Sequence, residues 1–498
     1  MTVPAVLAID QGTTGTTCLV VGADGGVLGR GYSEFTQYFP QPGWVEHDAN
    51  EIWEVTLRVA RDAIAEASGA EVCSIGIANQ RETVVLWDRE TLEPVQRAIV
   101  WQDRRTASLC RSLKEAGHEE EVRYRTGLVL DPYFSGSKIA WLLGSDPDIR
   151  KKAEAGLLAV GTIDAWLIAR LTNGGSHVTD PTNASRTLLF NLHESSWDEW
   201  ALDLLGVPFG ILPEVRASSG DFGTSAIDHF GIEVPIQGVA GDQQAALFGQ
   251  GCWTSGLAKN TYGTGAFLLL HTGDTPVRSD HGLLTTVACD ASGGLAYALE
   301  GSVFIAGAAI QWLRDELGVL SNAADSEQMA TGLADNGGIY FVPAFVGLGA
   351  PHWEPDARGA LFGLTRGTSS AQIVRAALEA MAYGTTEVLR GMEGDSGIET
   401  AELRVDGGAS LNDWLMQFQA DVANVPVRRA PLVETTALGA AGLAGLAGGV
   451  WSSAEDFLGA QGEARCFEPD CHEVHGKNAM RGWNRAVRAS LAWARDEG

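Results

Sequence analysis

The sequence predicts an α/β protein of two similarly built domains, each a mixed sheet flanked by helices, with a cleft between them. Three observations carry this. A chain of 498 residues exceeds what one hydrophobic core usually serves. Hydrophobic residues make up 45 % and charged residues 20 %, near the globular average, so both parts have the material for a core. The order of apolar runs and turns found at the N-terminus returns near the middle of the chain, as patterning more than as identity. The boundary is placed in the small-residue segment Gly249-Gln250-Gly251, which gives domains 1–251 and 252–498.

In the first half, apolar runs at residues 5–9, 18–21 and 27–32 are separated by a glycine-threonine turn and by Asp24-Gly25-Gly26. That spacing predicts three antiparallel strands. Asp48-Ala49-Asn50-Glu51 reads as a capping box, followed at helical spacing by Ile52, Val55, Val59 and Ile64 and then by a strand at 72–78. The second half repeats the grammar: strands at 257–262, 267–270, 283–288 and 296–299, then a helix from about 303 to 317. Residues 437–451 are largely alanine and glycine, which reads as a close-packed helix and not a membrane span.

The net charge of −28 argues against nucleic acid or an anionic membrane as partner, because both are bound through basic patches. Seven cysteines, Cys18, Cys73, Cys110, Cys252, Cys289, Cys466 and Cys471, are odd in number and scattered without C-x-x-C spacing, so they read as reduced thiols. Met1 runs into the apolar stretch at 5–9 without a basic leader, so a cytoplasmic protein is expected.

Three turns carry the chemistry. Asp10-Gln11-Gly12-Thr13-Thr14-Gly15-Thr16 follows the first strand, where backbone N–H groups and threonine hydroxyls can converge on phosphate oxygens beside a carboxylate able to hold Mg²⁺. Asn260-Thr261-Tyr262-Gly263-Thr264-Gly265 repeats that context in the second half, and two such hairpins facing each other would clamp a triphosphate. Val405-Asp406-Gly407-Gly408-Ala409-Ser410 closes a strand and opens a helix, so a nucleotide can approach its backbone closely. No G-x-x-x-x-G-K-[ST] element occurs.

Three turns in this order resemble the sugar kinase, actin and Hsp70 superfamily, which implies two RNase H-like domains holding ATP between them. The strings Asn79-Gln80-Arg81-Glu82-Thr83, Val100-Trp101-Gln102-Asp103-Arg104-Arg105, Asp131-Pro132-Tyr133-Phe134-Ser135-Gly136 and Ala240-Gly241-Asp242-Gln243-Gln244-Ala245 are similar to the glycerol kinase branch of the FGGY carbohydrate kinases. The likeness runs from residue 8 to about 493, and 359–379 resembles a family signature. A triol offers hydroxyls along one edge and C–H groups along the other, so its site needs charged hydrogen-bonding groups opposite an aromatic wall.

The resemblance implies that Arg81, Glu82, Asp242 and Gln243 supply the polar edge and Trp101, Tyr133 and Phe267 the wall, with Asp242 as general base. It implies ATP and Mg²⁺, with Asp10 and Asp242 at the metal. Gly12, Thr13, Thr14, Thr264, Gly265, Gly307, Ile310, Gln311, Gly408, Ala409 and Asn412 would then face the nucleotide. It further implies glycerol as substrate and a homo-oligomer, a dimer or tetramer. Two departures stand out. Thr17 occupies the place of the family's usual arginine, and the segment around His229 lacks a glycine-rich basic loop, leaving His229 as either a modified residue of that region or an ordinary surface histidine.

Overall fold

The computed structural model describes residues 2–470 and 473–495, so Cys471 lies outside the described residues. Strand β1 (Val3–Gln11) buries Ala5 to Ile9 completely, which requires cover on both faces. It pairs antiparallel with β2 (Gly15–Gly22), which pairs antiparallel with β3 (Val27–Glu34), as the turn spacing predicts. Helix α1 (Ala49–Glu66) covers one face, setting Ile52, Val55 and Val59 against Ala5, Leu7 and Ile9. Only half of the expected capping box forms. Asp48 accepts from the N–H groups of Asn50 and Glu51, but Glu51 turns to Thr36, whose N and Oγ1 both donate to it at 2.9 Å.

Strand β4 (Ala70–Asn79) lies parallel to β1, and β5 (Ile236–Gly241) lies parallel to β4, giving the order β5-β4-β1-β2-β3. Helix α2 (Asp242–Gly249) then leads out of the first half.

The second sheet reuses this plan. Strands β6 (Leu257–Tyr262) and β7 (Ala266–Gly273) form an antiparallel hairpin, extended by β8 (Leu284–Cys289) and β9 (Leu295–Val303). The helix expected from about residue 303 begins later, as α3 (Gly307–Asp315), because Ser302 and Val303 are held in the ladder by Phe267 and Ala266. After the long helix α4 (Ser370–Ser396), β10 (Glu402–Asp406) adds parallel to β6. Helix α5 (Asp413–Ala423) leads to β11 (Val427–Arg429). Helix α6 (Thr435–Ala447), β12 (Arg465–Phe467) and α7 (Glu473–Arg495) complete the chain in the order β8-β9-β7-β6-β10-β11-β12. Helices α3, α4 and α5 bury one face of this sheet through Ile310, Val374, Leu378 and Leu415. The six described cysteines are free thiols.

Helix α6 returns to the first sheet and packs Ala437, Ala440, Ala441 and Ala444 on Val6, Ala8, Ala78 and Ala240. It therefore supplies the cover that the second face of β1 needs. Small residues make this contact so close that side chains larger than those present do not fit. A Cβ on Gly76 would stand 2.1 Å from the Ala440 carbonyl oxygen, and one on Gly439 only 1.8 Å from the Ala245 carbonyl oxygen of α2. The segment read as a close-packed helix is one, and no helix among the described residues is long and apolar enough to cross a membrane.

Because backbone on both sides fixes the spacing of α2 and α6, Gly439→Ala forces the two helices apart. Overpacking of this kind costs roughly 1 to 3 kcal/mol, so thermal denaturation should show the midpoint lowered by several degrees. An unchanged midpoint would mean that the helices separate freely.

Candidate active site

Gln11, Asn79 and Gly241 stand in register at the ends of β1, β4 and β5, so the segments that follow these strands emerge along one edge of the first sheet. The first turn is braced there by neighbouring amides. Gly12 N donates to the Gly15 carbonyl at 3.0 Å, and Gln80 Nε2 donates to Gln11 Oε1 and to the Gly12 carbonyl, each at 3.1 Å. Gln37 Nε2 donates to the Thr13 carbonyl at 3.0 Å, and Trp101 Nε1 donates to Thr13 Oγ1 at 2.8 Å. Thr14 is exposed at the tip.

Two carboxylates flank this turn. Burial, with the charge of Asp242 added, pushes the Asp10 carboxyl up to about 7. Asp242 is the first residue of α2, with Gly241 as the cap. Thr182 Oγ1 accepts from Gly241 N at 2.8 Å and fixes that entry. The Asp242 side chain is 30 % exposed, accepts from Gln243 N at 2.7 Å and lies 3.3 Å from Arg81 Nε. Burial raises its carboxyl, while Arg81 pulls the other way. A carboxyl whose ionisation a neighbouring carboxylate disfavours suits a divalent cation nearby.

Arg81 and Glu82 are buried, unlike a typical surface pair. Glu82 sits at a φ of 61°, which turns the backbone sharply after Arg81. Glu82 accepts from Arg186 Nε at 2.7 Å. Arg81 reaches the second sheet, donating from Nη1 and Nη2 to Glu300 of β9 at 2.5 and 3.0 Å. Arg186 Nη2 donates to the same carboxylate at 3.0 Å. Burial alone would raise Glu300, but Arg186 and Arg81 outweigh it and hold the carboxyl at about 2. Beside this cluster Trp101 and Tyr133 meet edge to face with centroids 5.5 Å apart, and burial drives the Tyr133 phenol up. Phe267 stands half-buried on the second sheet, paired with Thr261 and Ser302. Gln243 Oε1 accepts from Lys259 Nζ, which also donates to Thr261 Oγ1 at 2.9 Å; burial lowers Lys259 to about 8.

The second and third turns adjoin on the other sheet. The Thr264 carbonyl accepts from Ala306 N at 2.8 Å and Ala308 N at 3.1 Å, and Gly307 N donates to the Gly263 carbonyl at 3.0 Å, so the start of α3 is docked on the turn. Gly265 admits no side chain, since a Cβ would stand 2.6 Å from the Val303 carbonyl oxygen. Within α3, Ile310 is buried and Gln311 exposed. Gly407 has a φ of 83° and lies so close to Tyr262 that a Cβ would be 2.4 Å from its carbonyl oxygen, which sets the third turn beside the second. There Gly408 is exposed and Ala409 half-buried, and Asn412 caps α5 by accepting from Leu415 N at 2.9 Å.

Sequence reading missed Arg186, Glu300, Lys259 and Gln80. Glu300 and Lys259 left a signal, each being a lone charge within an apolar strand pattern. His229 lies outside this group of residues. Its Nε2 is 3.1 Å from the Arg170 carbonyl oxygen and its ring meets Trp53 edge to face, so it serves packing. Thr17 is half-buried opposite Asp10 in the β1–β2 ladder, close to the first carboxylate.

Residues 5–249 match the N-terminal domain of the FGGY family of carbohydrate kinases and residues 258–448 its C-terminal domain. The chain is 54 % identical over 494 residues to the glycerol kinase of Petrotoga mobilis, covering 99 % of each, and 55 % identical over 491 residues to that of Dechloromonas aromatica, covering 98 % of each. Among solved structures it is similar to Plasmodium falciparum glycerol kinase with ADP, at 35 % identity and a TM-score of 0.93 with 98 % of each chain covered. A gluconate kinase from Lactobacillus acidophilus, at 21 % identity and a TM-score of 0.88 over 99 % of each chain, shares the fold.

The raised Asp10 carboxyl fixes the sign of a pH effect. The folded chain holds this proton up to about pH 7 whereas an unfolded aspartate releases it near 3.8, so stability present below the lower value is lost as pH rises through the upper one. Asp10→Asn should therefore raise the thermal midpoint of the metal-free protein most above pH 7, with the advantage shrinking towards pH 4. Melting curves across that range check it; an advantage that grows on acidification would show that burial does not govern Asp10.

Proposed function

The chain belongs to the FGGY family of carbohydrate kinases, and we propose that it catalyses the ATP-dependent phosphorylation of glycerol to sn-glycerol 3-phosphate and ADP. The observation that carries this reading is one juxtaposition: Arg81 and Glu82, both buried, lie beside the Trp101–Tyr133 pair, and the exposed part of the Asp242 carboxylate lies 3.3 Å from Arg81 Nε. A charged wall, an aromatic wall and a base meet there, as a triol requires. Relatives above 50 % identity over nearly the whole chain that bear the name glycerol kinase support the same substrate.

The geometry supports the following roles. Arg81, Glu82 and Gln243 hold two hydroxyls of the triol, while Trp101, Tyr133 and Phe267 cover its C–H edge and exclude longer polyols. Asp242 accepts the proton of the attacking hydroxyl; burial raises its basicity and the contact with Arg81 opposes that rise. Thr13 and Thr14 from one sheet and Thr264 and Gly265 from the other donate to the phosphates, Gly12 lets them approach the turn closely, and Gly307, Ile310, Gln311, Gly408, Ala409 and Asn412 receive the nucleoside. Asp10 and Asp242 are the residues that would hold Mg²⁺, which when bound neutralises charge on the transferring phosphoryl group. The division at residue 251 makes each domain the carrier of one phosphate turn. A net charge of −28 supports an enzyme without nucleic-acid or anionic-membrane partners, the N-terminal pattern supports a cytoplasmic location, and the family resemblance supports a homo-oligomer.

Coupled ADP release with glycerol, dihydroxyacetone, erythritol, xylulose and no acceptor tests the reading in one plate. Turnover should be confined largely to glycerol, and Asp242→Asn should lose about 100-fold or more while still binding ATP. Equal rates with xylulose would reassign the substrate, and a variant within a few-fold of wild type would remove Asp242 from the mechanism.

A further inference from the structure

Four charged side chains form a closed cluster at the floor of the site. Arg81, Glu82, Glu300 and Arg186 are each 4 % exposed or less at the side chain. Arg81, Glu82 and Arg186 come from the first half, and Glu300 alone comes from the second sheet, on β9. Its two oxygens take both outer nitrogens of Arg81, and Oε1 also takes Arg186 Nη2. Gln244 Oε1 accepts a further bond from Arg81 Nη1 at 3.3 Å. With its outer nitrogens occupied, the Arg81 guanidinium turns its Nε edge to Asp242 at 3.3 Å and to Glu82 at 3.8 Å. Arg186 is set in turn between Glu82 and Glu300, with its guanidinium carbon 5.8 Å from the centre of the Tyr133 ring.

We propose that Glu300 is a positioning residue for the polyol: it reaches from the second sheet to aim Arg81 and, through Arg186, Glu82, so that the polar wall is complete only when the two sheets stand in this relation. A fork-to-fork pair is directional, and shortening or neutralising the carboxylate lets the guanidinium rotate about its stem. The two arginines repel each other and neither has solvent to turn to, so Glu300 is also the charge that lets them share one site. Its carboxyl, held at about 2, stays ionised throughout the working range. Glu300 touches neither phosphate turn, as its partners are Arg81 and Arg186.

This rests on the glycerol reading above. The test uses full-length Glu300→Asp and Glu300→Gln, with steady-state kinetics in both substrates, calorimetric titration of glycerol without nucleotide, and thermal melts. Glu300→Asp keeps the charge but withdraws it by one methylene. Its KM and Kd for glycerol should rise about tenfold or more, with the KM for ATP within about twofold and a thermal midpoint near wild type. Glu300→Gln should be worse in the same direction; if it fails to fold, the aspartate variant decides alone. Glycerol constants unmoved in Glu300→Asp, or both Michaelis constants rising together as the midpoint falls, would overturn the positioning role in an otherwise active kinase. Wild-type protein that neither binds nor phosphorylates glycerol would overturn the substrate reading and this one with it.

Discussion

Two guanidinium groups buried within reach of the same carboxylate set the terms for how the halves of this molecule meet. Arg81 and Arg186 have almost no access to water, and leaving either uncompensated would cost several kcal/mol, by analogy with broken buried pairs, in the range of about 3 to 5. Glu82 supplies one counter-charge locally and Glu300 supplies the other from the opposite sheet. A hydrophobic replacement of similar shape could be as stable, so the cluster is better understood as a device of registration than of stability. It ties one orientation of the sheets to one orientation of the groups that line the site.

Such registration works only if the backbone itself is placed to within a few tenths of an ångström, and the small residues of α2 and α6 provide that. Gly249 and Gly439 bring the two helices into backbone contact, and Gly76 and Gly238 admit α6 onto β4 and β5. Where backbone meets backbone, no flexible side chain takes up slack. Asp242, at the head of α2, and Asp406, which accepts from Thr435 at the head of α6 and from Gln250 at 2.7 Å, are thereby linked through the same rigid pair of helices. Asp242 of one half and the third turn of the other thus share a mechanical frame.

The strands and their antiparallel pairing were legible because short continuous apolar runs broken by glycine turns have few alternatives, and the repeat of that grammar gave the second sheet. The start of α3 was misplaced because Ser302 and Val303 follow an apolar run that can be read as helix; only pairing with Phe267 and Ala266 settles them as strand. Glu51 had the right spacing for a capping box, but a competing donor from Thr36, fifteen residues away, took it. The three turns and the strings around Arg81, Trp101 and Asp242 were legible as local motifs. Arg186 and Glu300 were not, since each looks like an isolated charge until the chain brings residues 104 and 219 positions apart together.

A chain of net charge −28 that handles a nucleoside triphosphate faces an unfavourable long-range field. At physiological ionic strength that field is screened beyond roughly 8 Å, so what matters is the charge within the site itself. There the balance is nearly even: Asp10, Asp242, Glu82 and Glu300 are opposed by Arg81, Arg186 and Lys259, and burial already weakens the charge on Asp10 and on Lys259. Thr17, opposite Asp10, adds a hydroxyl where a cation would have added charge. What the first turn offers an anion is therefore neutral donors, backbone N–H groups and the Thr13 and Thr14 hydroxyls, braced from behind by Gln37, Gln80 and Trp101. Neutral donors compensate for missing charge only when they are fixed in advance, since their advantage over water lies in not having to reorganise. The dense bracing of that turn by amide side chains is the physical counterpart of an acidic protein binding an acidic ligand.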